Sequence, residues 1–561
     1  MQSILRRIYG IEGGIEAFVK ISPLFETFEI KAEPDQDRFS QEDIILITYG
    51  DSLKRDGEKP LITLQNFAAE NLREAISAIH ILPFFPYSSD DGFSVKDFMA
   101  VDPDLGAWDD IKALSKDFKL MFDYVLNHIS AQSEWFAKFL AEEPGFEKLA
   151  IETDPALDLS FVTRPRSLPL LTEFNKDSGQ STHVWTTFSE DQIDLNYANL
   201  DVLKLMVEVL LFYVQQGASL LRMDAVAYLW KEIGTNCIHQ PQTHDMVKLF
   251  RKILDLLAPE VSIITETNVP HQENVSYFGD GSDEAQMVYN FTLPPLLFYS
   301  FTKGDSSVLS NWAKTLDLES STNTFFNFTA SHDGIGVRPL EGILPAEEVN
   351  SLIEVVEQNG GEVSFKQNPD GSESPYELNI TYVDALSKNG SQADPLHAQR
   401  FLASQSIQLV MPGVPAIYIH SLLGSRNWSE GVKETGRARS INRKKLDADA
   451  VLKEFSDPDS FRSQVFHPYI EMIRIRKQQP AFHPKAGFEI LDVIPQVFAI
   501  RRFTEEQEIY AIFNITGGSV TVSLAQTQAS STLSDLITKS PVDRESISLA
   551  PYQFVWLRDR S

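Results

Sequence analysis

The chain predicts an α/β fold, a (β/α)8 TIM barrel with insertions after strands 3 and 7 and a C-terminal antiparallel β domain. Three observations carry that reading. Short apolar runs ending in polar residues or glycine recur eight times, amphipathic segments of helical period lie between them, and the helical period stops near residue 482.

The eight runs are IILITYGD (44–51), IHILPFFP (79–86), LMFDYVLNH (120–128), SLLRMDAVAY (219–228), SIITETN (262–268), MVYNFTLPP (287–295), FFNFTASHDG (325–334) and VPAIYIHSLLG (414–424). Their β-branched and aromatic content suits strands buried on both faces. Between them, 202–216 and 244–257 have helical spacing, so β then α repeats eight times and a closed parallel barrel is the simplest solution. Spacing locates the extra material: about 100 residues separate Asp123 from Asp224, and about 85 separate Asp333 from Tyr418. The first insertion holds VTRPRSLPLL (162–171) and the second the turn-rich NPDGSESPY (368–376). The predicted division is a barrel over 1–127, 189–340 and 400–481, insertions over 128–188 and 341–399, and a β domain over 482–561. In the last, FAIRRF, IYAIFNI, VTVSL and FVWLRD alternate at strand period.

A length of 561 residues exceeds the roughly 250–300 at which single cores stop growing. Hydrophobic residues at 43% and charged residues at 23% exclude disorder, collagen and coiled coil. Apolar stretches such as 209–214 fall far short of the ~20 residues of a membrane span. The opening MQSILRRIYGIEGG lacks the apolar core of a secretory signal, which makes the cytoplasm the expected location. Cys237 is the only cysteine, excluding intrachain disulfides and multi-cysteine zinc sites. A net charge of −30 repels a nucleic-acid backbone.

Barrel enzymes aim their chemistry from the C-terminal ends of strands. Here Asp224, Glu266 and Asp333 are expected to end three of the strands. Three carboxylates converging from separate strands suit glycosyl transfer: one as nucleophile, one as acid then base, one to stabilise developing charge. Arg222, two residues before Asp224, projects to the same face of a strand and favours the ionised carboxylate. His128 and His332 supply donors for sugar hydroxyls.

DYVLNH (123–128), RMDAVAY (222–228), ITETN (264–268) and ASHDG (330–334) resemble, in order, the four sequence blocks of glycoside hydrolase family 13, the α-amylase clan. The resemblance implies Asp224 as nucleophile, Glu266 as general acid/base and Asp333 as transition-state stabiliser, with Arg222, His128 and His332 around the glucosyl ring. SSDDGFSVKDF (88–98), AVAYLWKEIGT (225–235), HDGIGVRPLEGILP (332–345) and PGVPAIYIHSLLG (412–424) look like the sucrose-phosphorylase subfamily, which passes glucose to phosphate instead of water. That match implies that Asp90 and Arg439 hold the far edge of the glucose and that Phe93 and Tyr228 pack against its ring, closing the donor end. Asn127 corresponds to a calcium-binding position of many α-amylases. Nothing else assembles a hard oxygen shell, so neither metal nor cofactor is expected.

A chain of charge −30 that binds phosphate needs a local positive site. Between Arg426 and Lys445 seven basic residues face two acidic ones, and the loop after strand 3 adds Arg164 and Arg166. Arg166 and Arg437 are the candidates for the acceptor oxyanion. VTRPRSLPLLTEF, STHVWTTFSEDQIDLNY, SPYELNITYVDAL and GSRN most resemble the glucosylglycerate phosphorylases of the subfamily. Tyr376 and Glu377 fall in the acceptor loop, with glutamate where many sucrose phosphorylases carry glutamine.

The resemblance therefore implies reversible phosphorolysis of an α-glucoside, with 2-O-α-D-glucosylglycerate foremost, to α-D-glucose 1-phosphate and glycerate. Alternatives are a sucrose or sucrose 6'-phosphate phosphorylase, a hydrolase or transglucosidase, and a non-catalytic amylase-like module. The implied partners are small molecules, with no nucleic acid and no membrane; a homodimer is an admissible assembly.

Overall fold

Eight parallel strands close a barrel: β1 (Ile45–Thr48), β2 (Ala78–Ile81), β3 (Lys119–Tyr124), β4 (Ala218–Met223), β5 (Ser262–Thr265), β6 (Met287–Tyr289), β7 (Thr324–Asn327) and β8 (Val414–Tyr418). Each pairs with its chain neighbours, and β8 returns to β1 with Ile45 opposite Ala416. The computed structural model describes residues 1–29, 37–166, 168–318, 323–368, 370–388, 390–391, 393–527 and 529–559. Ser167 of the 162–171 loop and Pro369 of the 368–376 turn lie outside the described residues.

All eight strands start within one residue of the runs read from sequence, but they stop earlier. The run 325–334 yields a strand only to Asn327, and 414–424 turns after Tyr418 into the short helix Ile419–Leu422. The runs continue past the strands because the loops beyond them are buried too: Phe84, Phe85, Tyr228 and Phe328 are all under 9% exposed. Apolar composition reports burial, and burial here extends beyond the ladder.

Helices wrap the outside. α1 (Gln2–Ile21), which the periodicity analysis did not single out, packs on α2 (Leu200–Gln215) and α3 (Pro241–Leu257). Gly10, at φ 77°, breaks α1 into two turns of different direction. α3 starts with Pro241 in its first turn, where the missing N–H costs nothing. α4 (His397–Val410) and α5 (Phe461–Lys477) complete the wall beside β8.

Both inserted segments reach outside their predicted bounds. In the first, His128–Ser130 pairs with Gln192–Asp194, beyond residue 188, and Leu171–Asn175 forms a hairpin with Ser181–Trp185. In the second, Glu362–Gln367 and Glu373–Asn379 form a sheet that recruits Ile335–Gly336, upstream of residue 341.

The C-terminal sheet has the order β9 (Gly487–Ile490), β10 (Val497–Phe503), β11 (Glu508–Asn514), β14 (Phe554–Asp559), β12 (Thr532–Asp535), β13 (Pro541–Asp543). Strand alternation splits its buried residues: Phe498, Ile500 and Trp556 join the main core, whereas Val497, Ala499 and Tyr510 pack in a second core with Val522 and Leu549. Arg476 and Arg502, fully buried at this junction, donate to the backbone oxygens of Leu409 (2.7 Å) and Val410 (2.7 Å). Among the described residues no helix is long and apolar enough to cross a membrane.

Candidate active site

The parallel ladder runs one residue past the strands and thereby aims the two central carboxylates. Asp224 N donates to Tyr124 O at 3.2 Å, and Glu266 N donates to Met223 O at 3.2 Å. Asp333 arrives differently. It lies six residues beyond β7 in a loop, so it is not at a strand end; Asn442 Nδ2 donates to its backbone oxygen at 3.0 Å and Ser331 Oγ accepts from its N–H at 3.2 Å.

Arg222 organises the floor. Its Nη1 bonds Asp123 and lies 2.7 Å from Asp224 Oδ1, its Nη2 is 3.7 Å from Glu266 Oε2, and its guanidinium sits 5.5 Å from the centroids of both Phe93 and Tyr289. Asp123, which the sequence reading left without a role, also takes His80 Nε2 at 2.7 Å. Glu266 Oε2 accepts from the backbone N–H of Ala225, a non-glycine residue held at φ 50° directly after Asp224.

Burial, and then the charge of neighbouring carboxylates, push both Asp224 and Glu266 upward despite Arg222, so the pair retains a proton at neutral pH. The Arg222 guanidinium opposes that rise more closely at Asp224, 2.7 Å from Oδ1, than at Glu266, 3.7 Å from Oε2. Asp333 goes the other way: burial opposes ionisation, but Arg439, His332 and Arg443 together hold it below the usual carboxylate range. Burial also lowers His128 to about 4 and His332 to about 3, leaving both neutral hydrogen-bonding groups.

Asp90, Phe93, His128, Tyr228, His332, Tyr376, Glu377, Arg439 and Arg166 line one cleft with Asp224, Glu266 and Asp333. Phe93 stacks on His332 at 4.8 Å, and its backbone oxygen lies 3.0 Å from His128 Nε2. Phe93 owes its close fit to Gly92, at φ 110°, where a Cβ would meet Pro83 O at 2.6 Å. Asp90 and Arg439 are already partnered. Arg166 Nη2 lies 2.9 Å from Asp90 Oδ2; Arg439 Nη1 lies 2.7 Å from Asp333 Oδ1, and its Nε and Nη2 fork onto Glu377 at 2.9 and 2.6 Å. A sugar gripped by Asp90 and Arg439 must exchange with these internal partners.

Arg437 is not brought into the cleft: it is exposed, ahead of the 3-10 turn Ala438–Asn442, and is absent from the lining. Much of the basic stretch serves internal pairing, Arg426 with Asp384, Lys445 with Asp51 and Arg443 with Asp91 at 2.5 Å. Arg443 also donates to His332 O at 2.8 Å, a positioning contact the residue count did not distinguish. At Asn127 a cation is built in. Lys231 Nζ lies 2.8 Å from Asn127 Oδ1 and 2.5 Å from Asp194 Oδ2, with both charged side chains almost wholly buried, so these residues do not fit a calcium ion.

A closed eight-stranded parallel barrel with this cleft at its C-terminal face is an α-amylase-type barrel. The family description "Alpha amylase, catalytic domain" matches residues 73–335. A protein named glucosylglycerate phosphorylase from Spirochaeta thermophila is 47% identical over 99% of this chain and 98% of its own length. Another of that name from Escherichia coli is 46% identical over 93% and 92%. The crystal structure of sucrose 6F-phosphate phosphorylase from Thermoanaerobacter thermosaccharolyticum superposes with a TM-score of 0.74 at 25% identity, covering 84% of this chain and 94% of that one. The chain belongs to glycoside hydrolase family 13, the α-amylase family, in the branch of the glucosylglycerate and sucrose phosphorylases.

Proposed function

We propose that the protein catalyses reversible phosphorolysis of 2-O-α-D-glucosylglycerate to α-D-glucose 1-phosphate and glycerate, with retention by double displacement. The carrying observation is the buried carboxyl pair, Asp224 held by Arg222 with Glu266 beside it, in a chain 47% identical to a glucosylglycerate phosphorylase. Asp224 attacks the anomeric carbon while Glu266 protonates the glycosidic oxygen, and glycerate leaves. A phosphate oxygen then attacks the anomeric carbon of the glucosyl ester, Asp224 departs, and Glu266 takes the proton from phosphate. Asp333, kept anionic, stabilises the positive charge that develops on the ring in both steps.

Phe93 and Tyr228 wall the donor end, which suits a terminal glucosyl residue and not the interior of a polymer. Arg166, on the first insertion, is the candidate for the acceptor oxyanion within the cleft. We assign the reaction to the cytoplasm, since a sugar phosphate is a multiply charged product that a bilayer retains. Incubating the protein with phosphate and, separately, glucosylglycerate, sucrose, sucrose 6'-phosphate and glucosylglycerol tests the reading. Glucose 1-phosphate should form fastest from glucosylglycerate; faster release from sucrose or its phosphate would replace glycerate as the acceptor.

A further inference from the structure

The second inserted segment carries a pair of cations that the reaction scheme above leaves without work. Arg338 follows the short strand Ile335–Gly336, and Lys366 lies on Glu362–Gln367 of the same sheet. Between them runs the strand bearing Tyr376 and Glu377, with Val337 N donating to Tyr376 O at 3.1 Å. The two side chains share one carboxylate, at distances longer than a hydrogen bond: Arg338 Nε lies 3.6 Å and Lys366 Nζ 3.7 Å from Glu341 Oε1. Glu341 is itself half exposed, so its charge compensates the pair weakly.

Arg338 is only 9% exposed, and its buried Nε has no hydrogen-bond partner. A desolvated guanidinium with an idle donor is costly unless something pairs with it. Burial opposes its charge; among the groups that favour it Tyr228 and Tyr376 come first, and both line the catalytic cleft. Burial, and then Arg338 itself, lower the Lys366 ammonium, which an arriving anion would reverse. Two crowded cations on the sheet that carries Tyr376 into the cleft lining, themselves outside that lining, form in a chain of charge −30 a local site for an oxyanion.

Resting on the proposed phosphorylase reading, we infer that Arg338, supported by Lys366, binds the anionic group of the acceptor beside Tyr228 and Tyr376. Two acceptors of this reaction carry such a group, the carboxylate of glycerate and inorganic phosphate. Arginine suits either, through two parallel N–H donors. A neutral polyol of the same size makes no such contact.

The test uses the full-length wild type, Arg338→Gln, Arg338→Lys and Lys366→Gln. In the synthetic direction, with α-glucose 1-phosphate as donor, kcat/KM is measured for glycerate and for glycerol; in phosphorolysis, KM is measured for phosphate. The glycerate-to-glycerol ratio should fall at least tenfold in Arg338→Gln and severalfold in Lys366→Gln, and Arg338→Lys should recover part of it. A tenfold rise in the phosphate KM with an unchanged ratio supports the site with phosphate as its occupant. Equal losses on glycerate, glycerol and phosphate, or no change in either measure, overturn it. A wild type that releases glucose 1-phosphate from another glucoside but ignores glycerate overturns the glucosylglycerate reading instead, and the phosphate KM then decides the role of Arg338.

Discussion

The floor and the mouth of the cleft are built by different rules. At the floor, side chains projecting from strand ends are locked: Arg222 alone reaches Asp123, Asp224 and Glu266, and the ladder itself fixes Asp224 N and Glu266 N at 3.2 Å from their acceptors. At the mouth, charges from inserted segments and from barrel loops pair with one another. Arg166 rests on Asp90, Arg439 forks onto Glu377, and Arg338 shares Glu341 with Lys366 at more than 3.5 Å. On the proposed reaction, the groups at the floor are preorganised for chemistry, while those at the mouth rest in pairs that a bound substrate would exchange.

This contrast predicts a ranking of effects. Asp224→Asn should cost at least about 10³-fold in phosphorolysis, roughly 4 kcal/mol of barrier, because an amide cannot form the glucosyl ester. Glu266→Gln should come next, and should discriminate: the loss on glucosylglycerate should exceed that on an activated glucosyl donor whose leaving group needs little protonation. Equal losses on both donors would take the acid role from Glu266.

At the mouth the effects should be smaller and fall on KM. Arg166→Ala is expected to raise the Michaelis constant for phosphate or glycerate by about tenfold, near 1.4 kcal/mol, and to do so more than Arg437→Ala, whose side chain is exposed and outside the lining. An Arg437→Ala effect as large as that of Arg166→Ala would contradict the placement of Arg437 outside the mouth.

The smallest effect concerns stability and involves the whole barrel. His128 and His332 have folded values lowered by burial to about 4 and about 3, against about 6.5 unfolded. At these two groups the unfolded chain binds more protons as pH falls below 6.5, so their contribution to stability declines from there toward pH 4, while Asp224, raised to about 8, contributes in the opposite sense. Thermal unfolding at pH 7.5 and pH 5 isolates the histidine part as a difference: the drop in melting temperature should be smaller in His128→Asn than in the wild type, and an equal or larger drop would refute it.

The residues of the cleft were more legible in the sequence than their pairings, for a physical reason. Strand runs and the residues after them are local patterns, so Asp224, Glu266 and Arg222 could be placed by period and position. Asp333 was identified but misplaced, because buried loop residues continued the apolar run past Asn327. Pairs that join distant segments were not legible in either region: 62 positions separate Arg439 from Glu377, and 99 separate Arg222 from Asp123. A count of basic residues from Arg426 to Lys445 could not tell Arg443, which supports His332, from Arg437, which faces solvent. Arg338, outside that stretch, drew no notice until the sheet beside Tyr376 brought it together with Lys366.

The central claim is a covalent glucosyl ester on Asp224 resolved by phosphate, and the configuration of the first product tests it most directly. Proton NMR of glucosylglycerate and phosphate with the wild type, recorded before anomeric equilibration, should show α-D-glucose 1-phosphate appearing as glycerate is released. A β-configured phosphate would contradict double displacement at Asp224, and glucose without a phosphate ester would make the protein a hydrolase.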